Sequence, residues 1–168
     1  MLMNARECYE IIDKQEKVLR FDHFTNEDAW ELGKTIVETG YEEKLPIAVD
    51  IVVNGYKVFR FGFSGTNNYN EIWLTRKINS VTTMGCSTLK LHYMMQCGEE
   101  DIYQGGHLNP VEYAAMGGGF PINVNGVGMI GVLAVSGLHH IDDHNCAVKG
   151  IMKYLNKAVE MFHVNDVQ

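Results

Sequence analysis

The chain has 168 residues, 46% hydrophobic and 21% charged, which is enough to bury one sizeable core and too few to make two full-sized domains the natural reading. With 14 Lys plus Arg against 21 Asp plus Glu its net charge is −7, which argues against the basic stripe on which nucleic-acid binding relies. The longest apolar stretch, VGMIGVLAV, falls far below the roughly 20 residues of a membrane span, and the opening MLMNARECYE is charged where a signal peptide would be apolar, so the expectation is a cytoplasmic protein with no membrane partner.

In chain order, Cys8, Ile11, Ile12, Gln15, Val18 and Leu19 recur at helical spacing over residues 6–19. Thr25 with Asp28 three positions on resembles a capping box. It opens a second helix striped by Ala29, Leu32, Ile36 and Val37, and Gly40 suits its stop. After Pro46 the period changes to two: Ile47, Val49, Ile51 and Val53 face one way, with Ala48, Asp50 and Val52 opposite. Asn54-Gly55 then predicts a tight hairpin into residues 56–63. Two helices follow, about 69–84 and 87–96, divided by Gly85 and restarted by Ser87 or Thr88.

A long loop follows, in which Asn109-Pro110 opens a short helix, ending at Gly117-Gly118-Gly119. Phe120, Ile122 and Val124 lead into Asn125-Gly126, a second use of the hairpin device, and Val127 to Val135 returns as a strand apolar on both faces. The last helix spans roughly 142–162, with Ala147, Ile151, Tyr154, Leu155, Ala158 and Phe162 as its stripe. The whole is an α+β fold, α-α-β-β-α-α-β-β-α, in which two hairpins feed one antiparallel sheet flanked by helices, read as a single domain over 1–168.

Chemistry concentrates in "GLHHIDDHNCAVKG", residues 137–150. If the last helix begins near residue 140, His140 and His144 stand at i and i+4, the spacing of helical metal-binding pairs; Asp143, His107 or His139 would be the nearest third ligand in type. The alternative is a helix start, with Asp142 or Asp143 taking up free N–H groups and the histidines as polar neighbours. In "GTNNYNEIWLTRKI", Trp73, Arg76 and Lys77 share a helix where Arg and Lys could hold a carboxylate, or where the tryptophan simply packs on the sheet. The three glycines allow either ligand approach or a tight strand entrance. Ser136 lacks the surroundings of a nucleophile, since no G-x-S-x-G is present. The four cysteines, Cys8, Cys86, Cys97 and Cys146, form no C-x-x-C pair and read as reduced, buried apolar residues.

"LPIAVDI" followed by Asn-Gly, "WLTRK", "NPVEYAAMGGGFPI" and "GVLAVSGL" followed by "DDH" occur in this order over about residues 20–160. In this the chain resembles the haem-degrading-domain family of HbpS-like and GlcG-like proteins, in particular a cytoplasmic branch with no established activity. The matching positions are Trp73, Arg76, Lys77, Gly118, Phe120, Pro121, Ser136, Gly137, Asp143 and His144. The resemblance implies a profilin-like or PAS-like fold and assembly into dimers or larger homo-oligomers. It also implies tetrapyrrole binding, with haem or a corrinoid as ligand.

On that reading His144, or in second place His107 or His140, supplies the metal-facing nitrogen. Arg76 and Lys77 meet the carboxylates, and Trp73, Phe120 and Ser136 belong to the ligand-binding set. Two other functions stay open: a small-molecule enzyme with Asp143 and His144 as an acid-base pair, and a ligand-free adaptor oligomer.

Overall fold

The computed structural model describes residues 1–168. Its elements are α1 (Ala5–Val18), α2 (Asn26–Glu43), β1 (Ala48–Val53), β2 (Tyr56–Gly62), α3 (Asn68–Met84), α4 (Thr88–Gln96), β3 (Gly119–Val124), β4 (Gly128–Ser136) and α5 (His140–Leu155), with a short 3-10 turn at Val164–Asp166. The order is the expected one. Helix starts follow local chemistry: Thr25 accepts the N–H of Asp28 while Asp28 accepts that of Thr25, and Ser87 accepts the N–H of Lys90.

The four strands form one antiparallel sheet in the order β2-β1-β4-β3. Period-two alternation sorts its faces. Ile47, Val49, Ile51 and Val53 join Phe120, Ile122, Leu133 and Val135 beneath α2 and α5, together with Leu32, Ile36, Ala147 and Ile151. On the other face Ala48 and Ala134 meet Leu74 of α3. A smaller cluster joins α1 and α4 through Cys8, Ile12, Leu89 and Tyr93, with Ile141 and Phe162.

Asp50 is fully buried on the α3 face, which would be costly for a lone carboxylate. It is held by Arg60, with Nε at 2.5 Å and Nη2 at 2.7 Å, and by Lys57 at 2.9 Å; Arg60 also grips Glu71 of α3. The guanidinium beside Glu71 lowers that carboxyl below its ordinary range.

Several boundaries differ from the expectation, each for a local reason. Helix α2 runs past Gly40 to Glu43 and stops at a left-handed Lys44. Gly40 is small because Phe63 packs against it, a Cβ there lying 2.7 Å from the ring. Asn109-Pro110 opens a hydrogen-bonded turn rather than a helix.

The Asn54-Gly55 turn has both residues at positive φ, as predicted, but the second hairpin is different. Its loop is three residues long and β4 starts at Gly128, with Gly126 at φ 75 while Asn125 stays at negative φ. Asn125 is tied elsewhere: its side chain meets Asp22 and Arg20, and its N–H donates to Phe21 O. Strand β4 is buried on both faces only over residues 131–136.

Helix α5 ends at Leu155, because Asn156 takes the left-handed conformation at φ 52 and donates to Met152 O. Ala158 and Phe162 therefore lie beyond the helix. Phe162 is still buried, at the second cluster, and its carbonyl accepts from Asn145. No helix is long and apolar enough to cross a membrane.

Candidate functional site

Where β4 ends and α5 begins, the N-terminal half of α3 overhangs an open cleft of about 440 Å³, within the range of about 300–1,000 Å³ typical of small-molecule sites. Tyr69, Trp73 and Met116 form apolar walls. Asn70, Lys77, Ser136, His139, His140 and Asp143 supply polar groups. A larger groove of about 540 Å³ lies between α3 and the hairpin ends of the sheet. It contains no buried charged group, so the chemistry is placed in the smaller cleft.

The floor is an ion pair. Lys77 Nζ is 2.8 Å from Asp143 Oδ2 and donates also to Val135 O at 2.8 Å, while Asp143 Oδ1 accepts the N–H of Leu138. Both residues are 2% exposed. Burial pushes the Lys77 ammonium down and the Asp143 carboxyl up, and each partner opposes the other's shift.

The three glycines make room for this floor, and the tight strand entrance is the reading the geometry supports. Gly118, at φ 126, would put a Cβ 2.3 Å from Val135 O and 2.6 Å from Lys77 Nζ, and Gly117 would put one 2.3 Å from His140 O. Their space is filled by the protein itself.

The helix start is capped by His139 rather than by an aspartate: its Nδ1 accepts the N–H of Ile141 at 3.3 Å. His140 Nδ1 accepts the N–H of Gly117 at 3.3 Å. Burial, helped by the neighbouring His92 and His139, pushes the His140 imidazole down to about 3. His92 of α4 packs on His140 with ring centroids 4.7 Å apart, and its Nδ1 lies 3.2 Å from Ala115 O.

The remaining predicted residues scatter. His144 is fully buried and outside the cleft, against Phe120, with Nε2 2.8 Å from Gln15 Oε1. Burial pushes it to about 3 as well, and its Nδ1 is the one buried side-chain polar atom without a partner. Phe120 belongs to the main core, and His107 is exposed in the loop after α4. Arg76 stacks on Trp73, 4.2 Å from the ring centre, and spends Nε and Nη2 on Tyr113 O at 3.3 Å, so it braces the loop instead of pointing into the cleft.

Two expectations are thereby corrected. Asp143 and His144 are not an acid-base pair, because consecutive helix positions point apart and each has a different partner. His140 and His144 are not a metal pair, and no three His, Cys, Asp or Glu side chains gather closely enough to hold an ion. Trp73, Lys77, Ser136, His140 and Asp143 do converge. Tyr69, Asn70, Met116 and Leu138 were not foreseen. The spacing 69, 73, 77 along one helix face was the signal for Tyr69, whereas nothing local marked Met116.

The fold and cleft define a small α+β domain with a polar-floored pocket at one end of its sheet. The description "Haem degrading protein HbpS-like" matches residues 24–152, and the chain belongs to this family. A UPF0303 protein of Streptomyces coelicolor is 34% identical over 146 residues, covering 87% of this chain and 92% of its own. The crystal structure of Ybr137w protein superposes with a TM-score of 0.79 at 28% identity, covering 88% of this chain and 87% of its own. That of a PduOC:heme complex has a TM-score of 0.66 at 21% identity, covering 82% and 99%, a likeness of fold alone.

Proposed function

We propose that this chain is a single small ligand-binding domain whose cleft between α3 and the start of α5 takes a tetrapyrrole, with haem as the ligand to test first and a corrinoid as the variant. One observation carries the reading: aromatic walls from Tyr69 and Trp73 stand over a floor that holds a buried ammonium, Lys77. A flat ring with acidic substituents needs both. The family description and the haem carried by one fold neighbour agree with it. A cytoplasmic homo-oligomer is part of this proposal.

The test is a haem titration followed by the Soret band, with wild type and Trp73→Ala compared. Loss of one stacking face is expected to weaken binding about tenfold, the upper end for an aromatic pair. Haem that gives no saturable spectral change, or binds both proteins equally, removes the cleft from this role.

A further inference from the structure

The hydrogen bonds around the cleft fix which nitrogen of each histidine carries the proton. A backbone N–H can only donate, so the Nδ1 atoms of His139 and His140 that receive Ile141 N–H and Gly117 N–H must carry lone pairs. Each neutral ring then bears its proton on Nε2. The two imidazoles lining the cleft keep Nε2–H as the donor not spent on the backbone, while a metal would need an unprotonated nitrogen.

His92 has the opposite tautomer. Its Nδ1 donates to the Ala115 carbonyl and its Nε2 accepts from Gln96 Nε2 at 2.9 Å, but it does not line the cleft. His144 is excluded twice over. Gln15 Nε2 donates to Glu160 O, so Gln15 Oε1 must accept from His144 Nε2, and the lone pair left on Nδ1 is sealed in the interior.

The other polar groups have the same sense. Lys77 uses two of its three N–H bonds, on Val135 O and Asp143. Ser136 accepts from Asn70 at 3.4 Å and keeps its own hydroxyl hydrogen. The single carboxylate, Asp143, has one oxygen on Lys77 and the other on Leu138 N–H, so it is neutralised where it stands.

Resting on the tetrapyrrole reading of the same cleft, we infer that the site recognises the carboxylates of a planar macrocycle through N–H and O–H donors and supplies no histidine nitrogen to its metal. It therefore holds the metal-free ring as well as the iron form. The histidines present fit a tetrapyrrole's propionates and do not fit its iron.

Equilibrium titrations of the full chain with ferric haem, protoporphyrin IX and the dimethyl ester of protoporphyrin IX test this. Haem and protoporphyrin IX should bind within about threefold of each other, and the ester, with its carboxylates blocked, at least about tenfold more weakly, the cost of one charge-assisted hydrogen bond. His140→Ala should weaken haem and protoporphyrin IX in parallel while leaving the Soret position of bound haem unchanged. Haem that binds more than about thirtyfold tighter than protoporphyrin IX, or shows a nitrogen-ligated low-spin spectrum abolished in His140→Ala, would falsify the inference and leave the tetrapyrrole reading standing. Binding of none of the three overturns both.

Discussion

An ammonium and a carboxylate withdrawn from water together lose most of their hydration, and only their mutual contact and remaining hydrogen bonds return it. Lys77 and Asp143 are in that position, and every hydrogen-bond partner they have is a backbone group or the other member of the pair. Lys77→Met leaves Asp143 alone in the interior and should cost about 3–5 kcal/mol in urea unfolding, whereas Lys77→Met with Asp143→Leu should recover most of that loss. A double variant no more stable than the single would show that the loss does not come from a carboxylate left unpaired.

His144 supplies a second prediction at this scale. Its folded pKa of about 3 lies below the value of about 6.5 of an exposed histidine, so the unfolded chain binds the extra proton. Its contribution to stability is complete above about pH 6.5 and is lost as pH falls toward 3, at up to about 1.4 kcal/mol per pH unit. His144→Gln, which can still donate to Gln15, should flatten that slope between pH 6 and 4, and an unchanged slope would place the acid sensitivity elsewhere.

Between elements, one of the tightest approaches is where α5 crosses α2. A Cβ on Gly150 would sit 2.3 Å from Ile36 Cγ1. Gly150→Ala should therefore destabilise by about 1–3 kcal/mol through overpacking, despite the better helix propensity of alanine. Ile36→Ala in the same chain should return part of it, read as a positive coupling in a double-mutant cycle.

Elements of this kind were legible in the sequence wherever local chemistry decided them. The alternation of Ile47 to Val53, the reciprocal cap of Thr25 with Asp28 and the Asn54-Gly55 turn need no distant partner. Asn125-Gly126 looks the same on paper, yet its asparagine is claimed by Arg20 and Asp22, more than a hundred residues earlier. The cleft was half legible for the same reason. Trp73 and Lys77 announce themselves by type, but Lys77 finds Asp143 across 66 positions, and Met116 arrives by the course of a loop.

For the molecule as a whole, a ligand that binds only the folded chain must stabilise it. Haem at a hundred times its dissociation constant should add about 2.7 kcal/mol, seen as a higher urea midpoint at constant slope. Spectral binding without that shift would mean that the unfolded chain takes up haem equally well.

The sheet has two outer strands, and they end differently. Along β3, Phe21 lies as a parallel bridge to Val124, donating its N–H to Asn123 O and accepting from Asn125 N–H. On β2 the pairing skips Val58, a bulge between Phe59 and Lys57, and Lys57 carries charge at that point. Bulges and lysines discourage an incoming strand, whereas a loosely added segment can be displaced. Association of partly unfolded molecules into fibres should therefore begin at the end of β3 beside Asn123 once Phe21 lifts away, since Pro121 has no N–H to offer an incoming strand, and β2 should stay solitary.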